Sequence, residues 1–176
     1  FIDCEISHCS GRNGGGVFGY NPATFERCRV RNNVANDSGG GVYSPGGAVI
    51  LSNSLFIENS AVQFGGGFSF SLSHATVVNC RFIGNEARVG GGVYCHGYST
   101  LTNCEFSGNR AETGGGVCLQ AYVSPIADCT FWSNHATGTG GGLFVTGSQH
   151  VISNCILWEN TAAGSAQGCS AVWTRR

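Results

Sequence analysis

A run of three glycines returns six times along this chain, at Gly14–Gly16, Gly39–Gly41, Gly65–Gly67, Gly90–Gly92, Gly114–Gly116 and Gly140–Gly142. A longer pattern surrounds each run and returns every 24 to 26 residues. Its clearest copy is Asn79-Cys80-Arg81-Phe82-Ile83-Gly84-Asn85-Glu86-Ala87-Arg88-Val89-Gly90-Gly91-Gly92-Val93. A fixed period of this size means stacked copies of one small unit, because a single copy cannot bury its own apolar side. That restricts the chain to a solenoid or a similar array.

Aligned on the period, the residues form columns. Cys4, Cys28, Cys80, Cys104, Cys129 and Cys155 share one, with Ser54 in the missing rung. Three residues earlier stand Phe25, Leu51, Val77, Leu101, Ile126 and Ile152. Two residues later stand Ile6, Val30, Phe56, Phe82, Phe106, Phe131 and Leu157. One amide column precedes the cysteines: Asn53, Asn79, Asn103 and Asn154, with Asp3 and Asp128 as variants and Arg27 as the exception. A second contains Asn33, Asn59, Asn85, Asn109, Asn134 and Asn160. Then come Ala35, Ala61, Ala87, Ala111, Ala136 and Ala162 and, after the glycines, Val17, Val42, Phe68, Val93, Val117 and Leu143.

Apolar residues two apart, as in Cys80-x-Phe82 and Val93-x-Cys95, have the alternation of short strands, and no segment keeps a helical period over three turns. Asn and Gly between the strands suit bends, since both tolerate positive φ. The expectation is a parallel β-solenoid of about seven coils, each of about three short strands. At about 4.8 Å per coil its length is roughly 30 Å. Like residues stack on like. Each buried Phe contributes about 1.5–3 kcal/mol, the amides bond from rung to rung, and the glycines fit a corner where backbone meets backbone. They are not a phosphate loop, which occurs once and leads into a helix.

The nine Lys and Arg residues are scattered and the net charge is −1, which leaves no basic track for nucleic acid. No apolar run of about 18 residues exists to span a membrane. The length and the unbroken period fit one domain over 1–176, and the opening in mid-repeat at Phe1 suggests a processed product or a piece of a longer chain. The end decays: Ala166-Gln167-Gly168-Cys169 stands where a triple glycine is due, and Trp173-Thr174-Arg175-Arg176 reads as the start of a cap. The cysteine column reads as buried thiols acting as small apolar groups. Ladder side chains run parallel, which disfavours bridges within the column. Cys9, Cys95, Cys118 and Cys169 lie outside it, and a disulfide among them stays open.

The Phe-x-x-Asn pairs Phe56…Asn59, Phe82…Asn85, Phe106…Asn109 and Phe131…Asn134, with Gly-Gly-Gly-Val, resemble the repeats of bacterial surface proteins with right-handed parallel β-helices. The chlamydial polymorphic outer-membrane proteins are one such group, with Ala where this chain has the third Gly. The segment Asn154-Cys155-Ile156-Leu157-Trp158-Glu159-Asn160-Thr161-Ala162 is similar to those of large secreted β-helix proteins of environmental bacteria. The resemblance implies an all-β right-handed parallel β-helix, at a cell surface or outside the cell, often adhesive. Function resides in sites rather than folds.

Pectate lyases and polygalacturonases also have this fold and would need clustered acids. The chain has only Asp3, Asp37 and Asp128 as aspartates. Asp3 and Asp128 are five rungs apart, on the order of 24 Å, too far for paired carboxylates. His8, His74, His96, His135 and His150 fall in different columns and read as surface or turn residues. Arg81 beside Glu105 and Glu86 beside Arg110 read as register and solubility devices. No catalytic residue, cofactor or metal ligand is expected.

Two outward columns carry aromatic residues. Phe18, Tyr43, Tyr94 and Phe144 follow the glycines, and Trp132 and Trp158 follow the large apolar column. Outward apolar stripes mark contact surfaces. The expectation is a non-enzymatic structural or adhesive element that self-associates, as a filament or surface layer, or contacts a cell surface or glycan through these six residues. A polysaccharide-binding module is the second reading, and a polysaccharide lyase or hydrolase the third. An ice-binding surface is remote, because no regular Thr-x-Thr ladder occurs.

Overall fold

A computed structural model describes residues 1–120, 124–147 and 150–164, and the decayed repeat and the cap at 165–176 lie outside the described residues. The chain winds as a parallel β-solenoid, with no helix among the described residues. One face is a sheet of seven parallel strands, Glu5–Ser7, Arg29–Arg31, Leu55–Ile57, Arg81–Ile83, Glu105–Ser107, Thr130–Trp132 and Ile156–Trp158. Seven strands are separated by six steps, so the chain makes about six turns where about seven coils were expected. The seventh strand opens a turn that is not completed among the described residues.

A second face contains the alanines, in strands Ser10–Gly11, Val34–Ala35 and Ser60–Ala61, then Arg110–Thr113, His135–Thr139 and Thr161–Ala162. Single bridges at Glu86 to Ser60 and to Arg110 join the two groups. The third face carries the strands that follow the glycines and those that precede the cysteines. Short strands were expected throughout. In two middle coils the halves instead fuse into Phe68–Val78 and Val93–Thr102, of 11 and 10 residues. The neighbouring coils contain Asn21-Pro22 and Pro45-Gly46-Gly47 at this place, and proline cannot donate to a ladder. The middle coils have no proline there, and the strand continues through an irregularity between Ser71 and His74.

The columns stack as the period requires. Phe56, Phe82, Phe106 and Phe131 have no exposed surface, and successive rings lie 4.7, 5.1 and 4.9 Å apart within 11° of parallel. The column of Asn33, Asn59, Asn85, Asn109, Asn134 and Asn160 is a continuous ladder. Asn85 Nδ2 donates to Asn109 Oδ1 at 3.0 Å and to the Phe56 carbonyl at 2.9 Å, and its Oδ1 accepts from Asn59 Nδ2 and the Asn59 amide. All four side-chain bonding positions of a fully buried amide are filled, which removes the cost of burying it.

The other amide column does a different job. Asp3, Arg27, Asn53, Asn79, Asn103, Asp128 and Asn154 all have φ between 50° and 56°. This is the left-handed region, which Asn and Asp enter more readily than other side chains. The turn brings the next residue's side chain back onto the chain. Cys80, Cys104, Cys129 and Cys155 each donate Sγ–H to the carbonyl two residues earlier, at 3.2–3.3 Å. Ser54 makes the same bond through Oγ at 2.7 Å, which explains why serine fits the column. Burial pushes the Cys80 thiol up to about 11.

The glycine corner is as tight as expected. Gly90 has φ +68, and a Cβ on Gly91 would lie 2.4 Å from the carbonyl oxygens of Gly115 and Arg110. Backbone from two neighbouring strands occupies the space a side chain would need.

Candidate functional site

With the interior filled by stacked rings and the closed asparagine ladder, any site must lie on the outer faces. The acids come first, since an enzyme would need them. Arg27 binds Asp3 at 2.7 Å and also Glu26, Arg31 binds Glu5 at 2.6 Å, and Arg81 binds Glu105 at 2.8 Å. The Arg27 guanidinium holds the Asp3 carboxyl below its ordinary range, and Arg81 does the same for Glu105. Both carboxyls are thereby kept ionised, the opposite of what a general acid requires. Among the described residues no three of His, Cys, Asp and Glu converge to hold a metal ion.

The thiols are equally quiet. Among the described residues Cys4, Cys9, Cys28, Cys80, Cys95, Cys104, Cys118, Cys129 and Cys155 are free. Cys95 pairs in register with Leu119 and Tyr94 with Cys118, so the two cysteines point to opposite sides of the sheet and cannot bridge. Burial pushes each up to about 12. A thiolate is the reactive form, so these groups are inert at neutral pH. Cys9 is exposed, and Cys169 lies outside the described residues.

The stripe that follows the glycines does not form one open surface. Phe18 is 46% exposed and leans on Tyr43, 5.7 Å away and half-buried. Ser69 and Cys118 interrupt the column and are buried. Tyr94 is only 6% exposed: Phe64 lies over its ring at 4.6 Å, and its hydroxyl donates to Gln120 Oε1 at 3.0 Å. Burial pushes the Tyr94 phenol up to about 12. Phe144, in register with Cys118, is half-buried. The sequence period places Tyr94 outward and misses the cover, because Phe64 belongs to a turn outside the aromatic columns.

Trp132 and Trp158 are different. They pair in register on neighbouring rungs of the seven-stranded sheet and are 48% and 62% exposed. Ile156 beside them is 51% exposed. Trp132 Nε1 and Ser133 Oγ both donate to Glu159 Oε2, at 3.2 and 3.4 Å, which fixes the edge of the first ring. The result is a flat apolar surface with a polar rim.

A second feature lies on the alanine face. Ala61, Ala87 and Ala111 floor a shallow groove of about 570 Å³. Glu86, Arg88, Arg110, Glu112 and His135 stand along its walls. The sequence singles out Glu86 beside Arg110. It misses Arg88 and Glu112, although their spacing of one period is the available signal.

A family model described as "Right handed beta helix region" matches residues 1–131. Searches of curated proteins and of solved structures return no match.

Proposed function

The chain belongs to the right-handed β-helix family, and on that premise we propose that it is a non-enzymatic structural or adhesive element at a cell surface or outside the cell. The rod is the working part. Its interior bonds are satisfied from rung to rung, so the outer faces are free to vary without disturbing the stack. The observation that carries the reading is the pair Trp132 and Trp158, left open in register on a flat sheet while every phenylalanine of the neighbouring inward column is buried. Large exposed aromatic patches are costly in a lone molecule and favour contact with a partner. Arginine-neutralised acids and protonated, buried thiols support the absence of catalysis. The same burial protects the thiols in oxidising surroundings, which is compatible with secretion.

A polysaccharide-binding module is the second reading, favoured by the open indole faces and the polar edge that Glu159 gives to one of them. Both are tested on wild type and on the Trp132→Ser/Trp158→Ser double variant, by electron microscopy and by a glycan array. Polymers or adhesion lost in the variant support the first reading. Glycan signal lost in the variant supports the second. Unchanged behaviour in both assays removes the tryptophan face from consideration. Products released from polyuronates, with or without Ca²⁺, would overturn the non-enzymatic reading.

A further inference from the structure

The alanine-floored groove carries four charges in a regular pattern. Glu86 and Arg88 stand on one rung, on either side of Ala87. Arg110 and Glu112 stand on the next, on either side of Ala111. Glu86 bridges to Arg110 through the backbone, so the four form a small rectangle. Its sides are about 5 Å between rungs and about 7 Å along the strand. The signs alternate around it as on a checkerboard. All four side chains are exposed.

These charges are not neutralised at home. Arg81 and Glu105, also one rung apart, close onto each other at 2.8 Å. Among the described residues no ion pair joins Glu86 to Arg110 or Arg88 to Glu112, and Arg88 donates through Nε to the neutral amide of Gln63 instead. The floor between them is methyl groups, with Ala61, Ala87 and Ala111 each 5–8% exposed.

We infer that this groove is a self-complementary interface through which two copies of the chain pair side by side. A uniformly charged partner such as a nucleic acid or an acidic glycan meets two attractive and two repulsive corners and gains nothing net. A partner with the same alternation gains at every corner, and the chain itself carries one. With a two-fold axis along the solenoid, Glu86 faces the partner's Arg88 and Arg110 faces the partner's Glu112. With the axis across the solenoid, Glu86 faces the partner's Arg110 and Arg88 faces the partner's Glu112. An isologous contact requires this self-matching. The small alanines leave room for the long side chains of the opposing copy to reach the floor. The interface lies on a different face from Trp132 and Trp158 and stands whether or not those rings make contacts.

The test is sedimentation of the full chain. Wild type should dimerise at about 0.1 M salt and weaken about tenfold or more at about 1 M, as the screening length drops from about 10 Å to about 3 Å. Arg88→Glu/Arg110→Glu makes all four corners acidic, and Glu86→Arg/Glu112→Arg makes all four basic. Each should be monomeric alone, and an equal mixture of the two should associate. The fourfold exchange Glu86→Arg/Arg88→Glu/Arg110→Glu/Glu112→Arg restores the alternation and should dimerise again. Unaltered circular dichroism shows that the variants fold. Wild type that stays monomeric at low salt overturns the inference, and so does a mixture that fails to associate. A dimer that survives in both charge variants overturns it too, by placing the contact on another face, and loss of that dimer on removing the tryptophans identifies which.

Discussion

Two columns of asparagine run the length of this solenoid, and they have little in common beyond the residue. Asn85 is fully buried, fills all four of its side-chain bonding positions and joins three coils. Asn79 is exposed, and its side chain bonds only to its own kind on the rungs above and below, Asn103 and Asn53. What Asn79 contributes is a backbone angle, φ +54, that turns the chain into the cysteine column. The first column is chosen for its amide, the second for its tolerance of a strained turn. That explains why Asp3, Asp128 and even Arg27 appear in the second, whereas the first is Asn on every rung from Asn33 onward and departs only on the opening rung, where Cys9 stands.

Substitutions separate the two roles. Asn85→Ala strands the Phe56 carbonyl and the Asn59 amide in the interior, at about 1–3 kcal/mol for each buried group left unpaired. The expected loss is about 3–5 kcal/mol in urea unfolding. A loss below that of Asn79→Ala would break the comparison.

The buried thiols extend it to pH. Cys80, Cys95, Cys118 and Cys129 are raised to between about 11 and about 12 in the folded chain, from an ordinary value of 9.0. The folded state holds these protons more tightly than the unfolded one. Their stabilisation is therefore complete below pH 9 and is lost as pH rises from about 9 towards about 12. Melting curves should fall over this range, and Cys80→Ser, which copies the Ser54 rung, should flatten the fall. Among the described cysteines, a thiol reagent at neutral pH should label exposed Cys9 first.

Next in size comes the exposed amide. Asn79→Ala should cost about 1 kcal/mol, because alanine resists the left-handed turn. Asn79→Gly should cost close to nothing, since glycine enters that region freely. Glycine at Asn85 should be as damaging as alanine. Smallest is the ion pair of Arg81 and Glu105, where Arg81 is exposed and Glu105 half-buried. A double-mutant cycle should give at most about 1 kcal/mol, reduced further by salt.

The same contrast governs what the sequence reveals. Interior columns are legible because stacking forces identical choices at fixed spacing: the phenylalanines, the buried amides, the alanines and the cysteines all stand where the period puts them. The serine at position 54 is legible as a substitute, though its reason, a bond to the Ser52 carbonyl, needs coordinates. Outer features are less legible. Tyr94 is covered by Phe64, whose turn has no aromatic column of its own, and the fused strands Phe68–Val78 and Val93–Thr102 arise where prolines are missing rather than where a motif is present. The charge rectangle spans two rungs and two columns, so reading one column at a time shows only half of it.

The rung-to-rung bonding also has a consequence for how such a molecule can change length. Every ladder contact reaches only the adjacent winding. Excising residues 79–102 would set Asn103 over Asn53, Phe106 over Phe56, Asn109 over Asn59 and Gly115 over Gly66, each meeting its own kind, with Cys104 over Ser54 as Cys80 is now. A gene encoding this chain can thus gain or lose a whole winding in one recombination event and still specify a folded product, whereas losing half a winding would set unlike columns on one another.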